Sequence, residues 1–205
     1  QWIISELHTL IREVEIGYEG YEPTKVARLI QDFVINKFSN WHIRLSRRRF
    51  WKGEFNEDKK NAYRTVYECL NTIAIISCPI APFYMDRLYN DINNSSKSVH
   101  LANFPKANSS FINKKLEFRM SMAQKITSNI LALRKKEKIR VRQPLEKFLI
   151  STNIPDLKQS ILAVKKIILS ETNVKTIDFV DSDSNILTKN VRPNFKVLGP
   201  KYGEK

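Results

Sequence analysis

The sequence predicts a mainly α protein in which an antiparallel helical bundle is followed by a small α+β module. Four long segments carry apolar residues at the three- and four-residue spacing of amphipathic helices, and this pattern favours a bundle. After residue 143, a strand, a helix and a strand are predicted within about 35 residues. With 205 residues, 42% of them hydrophobic, the chain can bury one sizeable core or two small ones. We therefore predict a helical domain over residues 1–143 and an α+β module over residues 144–205.

The first two helices follow from the spacing of their apolar residues. Residues 2–16 form a helical stripe, which the two glycines and the proline of residues 17–23 end. A second stripe starts near Thr24 and is the clearest helical pattern in the chain. It consists of Val26, Leu29, Ile30, Phe33, Val34, Phe38 and Trp41.

A third helix is predicted after Gly53, because Glu57 and Asp58 suit the positive N-terminal end of a helix. It runs to Pro79, and a short amphipathic segment over residues 83–92 continues it after a kink.

A polar connection over residues 93–110 leads to a fourth long helix from about Asn113. The apolar stripe of this helix runs from Leu116 to Leu133 with steps of three and four residues.

The character of the sequence changes in the α+β module. Residues 147–152 form a short β-prone run, residues 155–170 read as one helix that opens at its proline, and residues 174–181 alternate between apolar and polar side chains. The last 14 residues, from Arg192, are expected to lead into sequence beyond this chain.

The charge of the chain favours a polyanionic partner. Lys and Arg number 35 against 21 Asp and Glu, which gives a formal charge of +14. Residues 111–205 hold most of the excess, with 20 basic and nine acidic side chains. Each phosphate that such cations neutralise releases counterions and adds affinity.

Most catalytic and metal chemistry is excluded by the composition. The five glycines never combine into a phosphate-binding loop, and the three histidines lack the spacing of metal ligands. The two cysteines are nine positions apart on one predicted helix, which points them to opposite faces, and they are interpreted as buried apolar residues in a reducing compartment. No segment is long and apolar enough to span a membrane. We predict a cytoplasmic chain with no metal, no cofactor and no catalytic residue of its own.

A basic segment at residues 37–52 holds six cations and no acid. If the second helix continues through it as an α-helix, Arg44 and Arg48 fall on the core-facing stripe, where unpaired guanidinium groups are too costly to bury. The helix must then bend or project, or these arginines must pair with internal carboxylates or with phosphates. The aromatic residues Trp41, Phe50 and Trp51 are interpreted as core residues, with base stacking as the alternative.

A second basic stretch covers residues 134–147, with seven basic and two acidic side chains. Cations at a helix C-terminus are favoured by the helix dipole, but seven exceed what capping requires. We favour RNA or a domain junction as the partner.

Several segments resemble isoleucyl-tRNA synthetases, in the anticodon-binding region that follows the class I catalytic core. The most specific is residues 39–51, which read SNWHIRLSRRRFW; the family has tyrosine where this chain has His42, so no role is transferred to that side chain. The resemblance covers essentially the whole chain. The other matching segments are QWIISEL at 1–7, YEP at 21–23, PIAPF at 79–83, SVHL at 98–101, RVRQPL at 140–145 and RPNFKVLG at 192–199.

The resemblance implies a parent enzyme that joins isoleucine to its tRNA with ATP and Mg²⁺. The two catalytic signatures and the editing domain of that family are absent from these residues, so the implied role is tRNA binding at the anticodon stem and loop, beside the catalytic and editing domains of the same chain. A monomer is expected. The candidate RNA contacts, chosen by charge, are Arg44, Arg47, Arg48, Lys52, Arg134, Lys135, Lys136, Lys138, Arg140 and Arg142.

Three alternatives remain open at this point. The chain could be a stand-alone helical RNA-binding or adaptor module, or the equivalent domain of a valyl- or leucyl-tRNA synthetase. The arginines at 44–49 could also clamp the catalytic domain instead of RNA.

Overall fold

The computed structural model describes residues 1–94 and 96–180. The chain divides into two compact units between Phe118 and Arg119. The first unit is helical, and the second contains helices and a small parallel sheet. The predicted class, mainly α with a small α+β module, is confirmed, whereas the division after residue 143 stays a prediction. No helix in the described ranges is both long and apolar enough to cross a membrane.

Helices that begin in the first unit match the predicted segments closely. They are α1 (Trp2–Glu19), α2 (Pro23–Asp32), α3 (Arg44–Trp51), α4 (Glu57–Ser77), α5 (Pro82–Asn93) and α6 (Lys114–Lys136). A π-helical segment, Phe33–Ile43, joins α2 to α3, so that residues 23–51 form one unbroken helix. Short 3₁₀ turns at Val99–Leu101 and Ser109–Phe111 lie between α5 and α6.

The π-helical segment explains why Arg44 and Arg48 do not lie on the core-facing side of the helix. Its hydrogen bonds run over five residues instead of four, so eleven residues complete fewer turns than in an α-helix and rotate the following helix by roughly 200°. The buried residues of the continuous helix accordingly step by five from Phe33 to Phe38, then by three to Trp41, and again by five to Ser46. Arg44 and Arg48 are exposed. Their placement on the core stripe was conditional on a continuous α-helix, and the π-helical segment does not meet that condition.

Gly17 of α1 lies against Val26 of α2. The two helices are joined by a three-residue turn, in which the Glu22 amide donates to the Gly17 carbonyl at 2.8 Å. A Cβ atom on Gly17 would lie 2.6 Å from Cγ2 of the fully buried Val26. Glycine at this position therefore allows the two helices to pack.

We expect Gly17→Ala to lower the free energy of unfolding by about 1–3 kcal/mol, because the added methyl group overpacks the contact with Val26. Urea unfolding of the 205-residue chain measures this change. In a Val26→Ala background the same substitution should cost less, since the opposing Cγ2 is gone. An equal loss of unfolding free energy in both backgrounds would show that the contact with Val26 is not the cause.

The second unit builds a two-stranded parallel sheet from β1 (Leu145–Ser151) and β2 (Val174–Val180). Strand β1 pairs with β2 in a register that sets Leu145 opposite Val174. Between the strands, the single helix predicted for residues 155–170 is instead two helices, α7 (Pro155–Ala163) and α8 (Lys165–Thr172). The break is at Val164, whose backbone leaves the helical region with φ −112° and ψ 9°.

Candidate nucleic-acid interface

Helix α3 presents a group of exposed side chains that we call the α3 cluster: Arg47, Arg48, Trp51 and Lys52. Together they line one shallow cleft at the C-terminal end of the helix. Within the described ranges no carboxylate pairs with the three cations. The negative end of the helix dipole also stabilises positive charge in the last turn of α3. The cluster is therefore available to an external anion.

Two other cations of the basic segment are used internally. Lys37 donates to Oε2 of the buried Glu6 at 2.6 Å, and the same carboxylate accepts from the Trp2 indole at 3.0 Å. Arg49 binds both carboxylate oxygens of Asp58, at 2.8 and 2.6 Å, across the turn between α3 and α4. Arg48, one of the two arginines for which the sequence left an internal ion pair open, has no carboxylate partner in the described ranges, whereas Lys37 and Arg49 do.

The aromatic residues of the segment divide between core and surface. Trp41 is buried, as predicted, and the Arg44 guanidinium carbon lies 5.4 Å from the centre of its ring. Phe50 is half-buried and packs on Tyr63 with ring centres 5.4 Å apart. Trp51 is 81% exposed. The interpretation as core was therefore wrong for Trp51, whose position follows from the rotated phase of α3.

Trp51 separates the cationic cleft from an apolar one. The apolar cleft has a volume of about 320 Å³ and is lined by Ile43, Phe50, Trp51, Tyr63 and Val66. Next to it, the ring of Phe55, which is 67% exposed, lies 6.4 Å from that of Tyr63. Sequence reasoning missed Tyr63 and Phe55; an aromatic residue in the polar stretch after Gly53 was the signal available for Phe55. An exposed indole between cations and apolar rings is suited to stacking on a nucleobase.

His42, in the π-helical segment that leads into α3, is half-buried. Its ring stacks on Phe38 with centres 6.2 Å apart, and its Nε2 atom has no hydrogen-bond partner in the described part of the chain. Burial, followed by nearby positive charge that includes Arg49, lowers the pKa of His42 from 6.5 to about 4.

The free energy of unfolding should decrease as the pH is lowered from about 6.5 to about 4. The unfolded chain protonates His42 below pH 6.5, while the folded chain holds it neutral down to about pH 4, so protons favour the unfolded state between these values. We expect His42→Phe, which keeps the stacking on Phe38, to lose less stability than the wild type on acidification. Urea unfolding at about pH 7 and about pH 4.5 measures this difference. An equal loss in both proteins would contradict the assignment.

The second basic stretch covers the last residues of α6 and the irregular turn that follows, which we together call the basic turn (residues 135–143). Helix α6 ends in a Schellman-type arrangement, with Ile139 N–H donating to the Arg134 carbonyl at 2.8 Å and Lys138 N–H to the Lys135 carbonyl at 3.2 Å. Lys138 occupies the left-handed region, with φ 56°. The cations with exposed side chains are Lys135, Lys136, Lys138, Arg140 and Arg142.

Arg134 does not belong to this exposed set. It is 3% exposed, and its guanidinium donates to the carbonyls of Arg140 at 3.1 Å, Gln143 at 3.0 Å and Asn173 at 3.0 Å. The selection of Arg134 as an RNA contact is therefore corrected, because its side chain is buried and its two terminal nitrogens donate to backbone carbonyls of its own unit. Its neighbour Leu133, which was predicted on the apolar stripe, is 52% exposed.

The sequence model of the family described as anticodon-binding domain of tRNA ligase matches residues 1–149. The chain belongs to this family. The α3 cluster thus lies on an anticodon-binding domain, and the basic turn lies where the matched region ends.

Relatives of this anticodon-binding domain confirm the resemblance to isoleucyl-tRNA synthetases. Isoleucine-tRNA ligase of Cytophaga hutchinsonii is 50% identical over 210 residues, covering 100% of this chain and 19% of the relative. The enzyme of Bacteroides thetaiotaomicron is 51% identical over 209 residues, covering 100% and 18%. That of Clostridium tetani is 38% identical, covering 99% and 20%. The chain spans about a fifth of the length of these relatives.

The candidate contacts of this anticodon-binding domain fall into two groups, one in each unit. Arg47, Arg48 and Lys52 lie together in the first unit, with Arg44 one turn earlier over Trp41. The five exposed cations of the basic turn lie in the second unit. Among the described residues, no three His, Cys, Asp or Glu side chains are grouped as metal ligands would be.

Proposed function

We propose that the chain is the tRNA-binding part of an isoleucine-tRNA ligase and that it holds the anticodon stem and loop of isoleucine tRNA. The observation that carries this proposal is the α3 cluster, in which unpaired cations flank an exposed indole on a member of the anticodon-binding family. Phosphates are bound by guanidinium and ammonium groups, while unstacked loop bases are bound on aromatic rings.

Each group of residues has a distinct role in this proposal. Arg47, Arg48 and Lys52 bind loop phosphates, and Trp51 offers its ring to a loop base. The exposed cations of the basic turn bind the phosphate backbone of the stem, since residues 135–143 include no aromatic side chain that could stack on a loop base. Arg44, held near Trp41, contributes charge at the edge of the cluster.

The parent ligase supplies the chemistry in this proposal. It uses ATP and Mg²⁺ to join isoleucine to its tRNA in catalytic and editing domains that belong to the same polypeptide. The residues described here do not fit those ligands, since they offer neither a phosphate-binding glycine loop nor a cluster of metal ligands. We place the parent in the cytoplasm, as a monomer that does not engage membranes.

A titration of isoleucine tRNA and of a non-cognate tRNA at two salt concentrations tests the proposal. We expect both to bind the 205-residue chain, with isoleucine tRNA about tenfold tighter at each salt concentration. Affinity should fall steeply with salt for both, because phosphate contacts release counterions. Equal affinities would reduce the interaction to general electrostatics, and absence of binding would refute the proposal.

One observation favours a second role for the α3 cluster. Trp51 and Phe55 are 81% and 67% exposed, and exposed aromatic surface is also typical of contacts between domains. If the cluster clamps the catalytic domain of the ligase, Arg48→Glu should impair the full-length enzyme while the RNA affinity of the isolated chain stays unchanged. Loss of affinity in the isolated chain would instead favour RNA contact.

A further inference from the structure

Two side chains in the second unit hold the backbone of the basic turn. Arg134 donates to the carbonyls of Arg140 and Gln143, and the Asn173 side-chain amide donates to those of Val141 at 2.9 Å and Arg142 at 3.1 Å. Four consecutive carbonyls, from residue 140 to residue 143, are thus all bound by these two side chains.

The two residues are also bound to each other. The Asn173 carbonyl accepts from Nη2 of Arg134 at 3.0 Å and from the backbone amide of Leu145 at 3.1 Å. Asn173 occupies the left-handed region, with φ 51°, at the residue between α8 and β2. These hydrogen bonds therefore connect the turn to the start of both strands, because β1 begins at Leu145 and β2 begins at Val174.

We propose that Arg134 and Asn173 are positioning residues that hold the basic turn in the conformation in which it binds the RNA backbone. The inference rests on the proposed function, since it assigns how the second group of cations acts. With their carbonyls bound on the inner side, residues 140–143 keep the side chains of Arg140 and Arg142 exposed. A turn fixed in this way does not have to be ordered when RNA binds, and preorganisation of that kind raises affinity without adding a contact.

The chemistry of Arg134 fits this role better than that of lysine. Three carbonyls at three different points of the chain are reached by one planar group, which an ammonium group on a flexible stem cannot reproduce. The hydrogen-bond partners of its two terminal nitrogens are carbonyls and not carboxylates, so these partners do not offset its positive charge.

Lys138 supports the same interpretation. A helix commonly ends with glycine at a left-handed position of this kind, and a lysine there carries a backbone cost. The turn tolerates that cost while it presents one more exposed cation next to Arg140.

Salt-dependent tRNA binding distinguishes positioning from contact. Asn173→Gly retains the left-handed backbone and the carbonyl but removes the side-chain amide, so the cations remain and only the turn loosens. We expect isoleucine tRNA to bind this variant about tenfold more weakly, with an unchanged slope of log affinity against log salt. Replacing the contact residues Lys135 and Lys136 with glutamine should instead lower the slope.

Wild-type affinity in Asn173→Gly, or a slope lowered as in the lysine variants, overturns the positioning role but leaves the proposed function intact. Absence of tRNA binding by the wild type overturns the proposed function itself. Circular dichroism establishes that the variant is folded; if it is not, Arg134→Lys, which keeps the charge and loses the planar donors, takes its place with the same expected result.

Discussion

Replacing Lys135 and Lys136 with glutamate will weaken binding of isoleucine tRNA by about 100-fold at ~50 mM salt and by about tenfold at ~200 mM salt. Each phosphate contact contributes a slope of roughly 0.7–0.9 to the dependence of log affinity on log salt, so loss of two contacts flattens it by about 1.5. Both lysines are exposed in the basic turn, and their replacement leaves the hydrogen bonds of Arg134 intact.

A matched control is available in the same unit. Lys165 and Lys166 are also adjacent lysines, at the start of α8 and outside the basic turn. Glutamates there have the same effect on net charge and suit the N-terminal end of that helix. We expect the control variant to bind nearly as the wild type does. If both double variants lose affinity and slope to the same extent, general charge and not the basic turn binds the tRNA.

The second large effect is expected at the α3 cluster, where Trp51→Ala should weaken tRNA binding by about 1–3 kcal/mol. The indole is 81% exposed, so its removal should hardly change the free energy of unfolding. Because no charge is lost, the salt dependence should stay that of the wild type, in contrast to the lysine variants.

Phe83→Ala provides the control for this prediction. Phe83 is an aromatic residue of the same unit, 90% exposed and located on α5, away from the cluster in sequence. We expect its replacement to leave affinity unchanged. Wild-type affinity in Trp51→Ala would mean that the indole serves another surface, such as a domain of the parent ligase.

The helices were predictable because burial imposes a period on the sequence. The apolar spacing of α1, α2 and α4 identified these helices to within a few residues, and the alternation after Val174 identified β2. The π-helical segment was not predicted, since the interpretation assumed 3.6 residues per turn throughout. The five-residue step from Phe33 to Phe38 is the trace that it leaves in the sequence.

The candidate site was predictable in outline but not residue by residue. A run of cations indicates a basic surface, yet it does not distinguish Arg134 from Lys135, because the burial of Arg134 depends on carbonyls that include that of Asn173, 39 positions away. Asn173 itself has no distinctive sequence pattern. Likewise, the internal use of Arg49 depends on Asp58 across a turn. Such assignments require tertiary contacts.

The most direct test of the central claim is a competition measurement with pieces of the tRNA. With labelled isoleucine tRNA bound to the 205-residue chain, an isolated anticodon stem-loop and an acceptor-stem minihelix of equal length are added as competitors. We predict that the anticodon stem-loop displaces the tRNA at least about tenfold more effectively than the minihelix, because it alone offers unstacked anticodon bases to Trp51. Equal displacement by the two RNAs would contradict the assignment of this chain to the anticodon stem and loop.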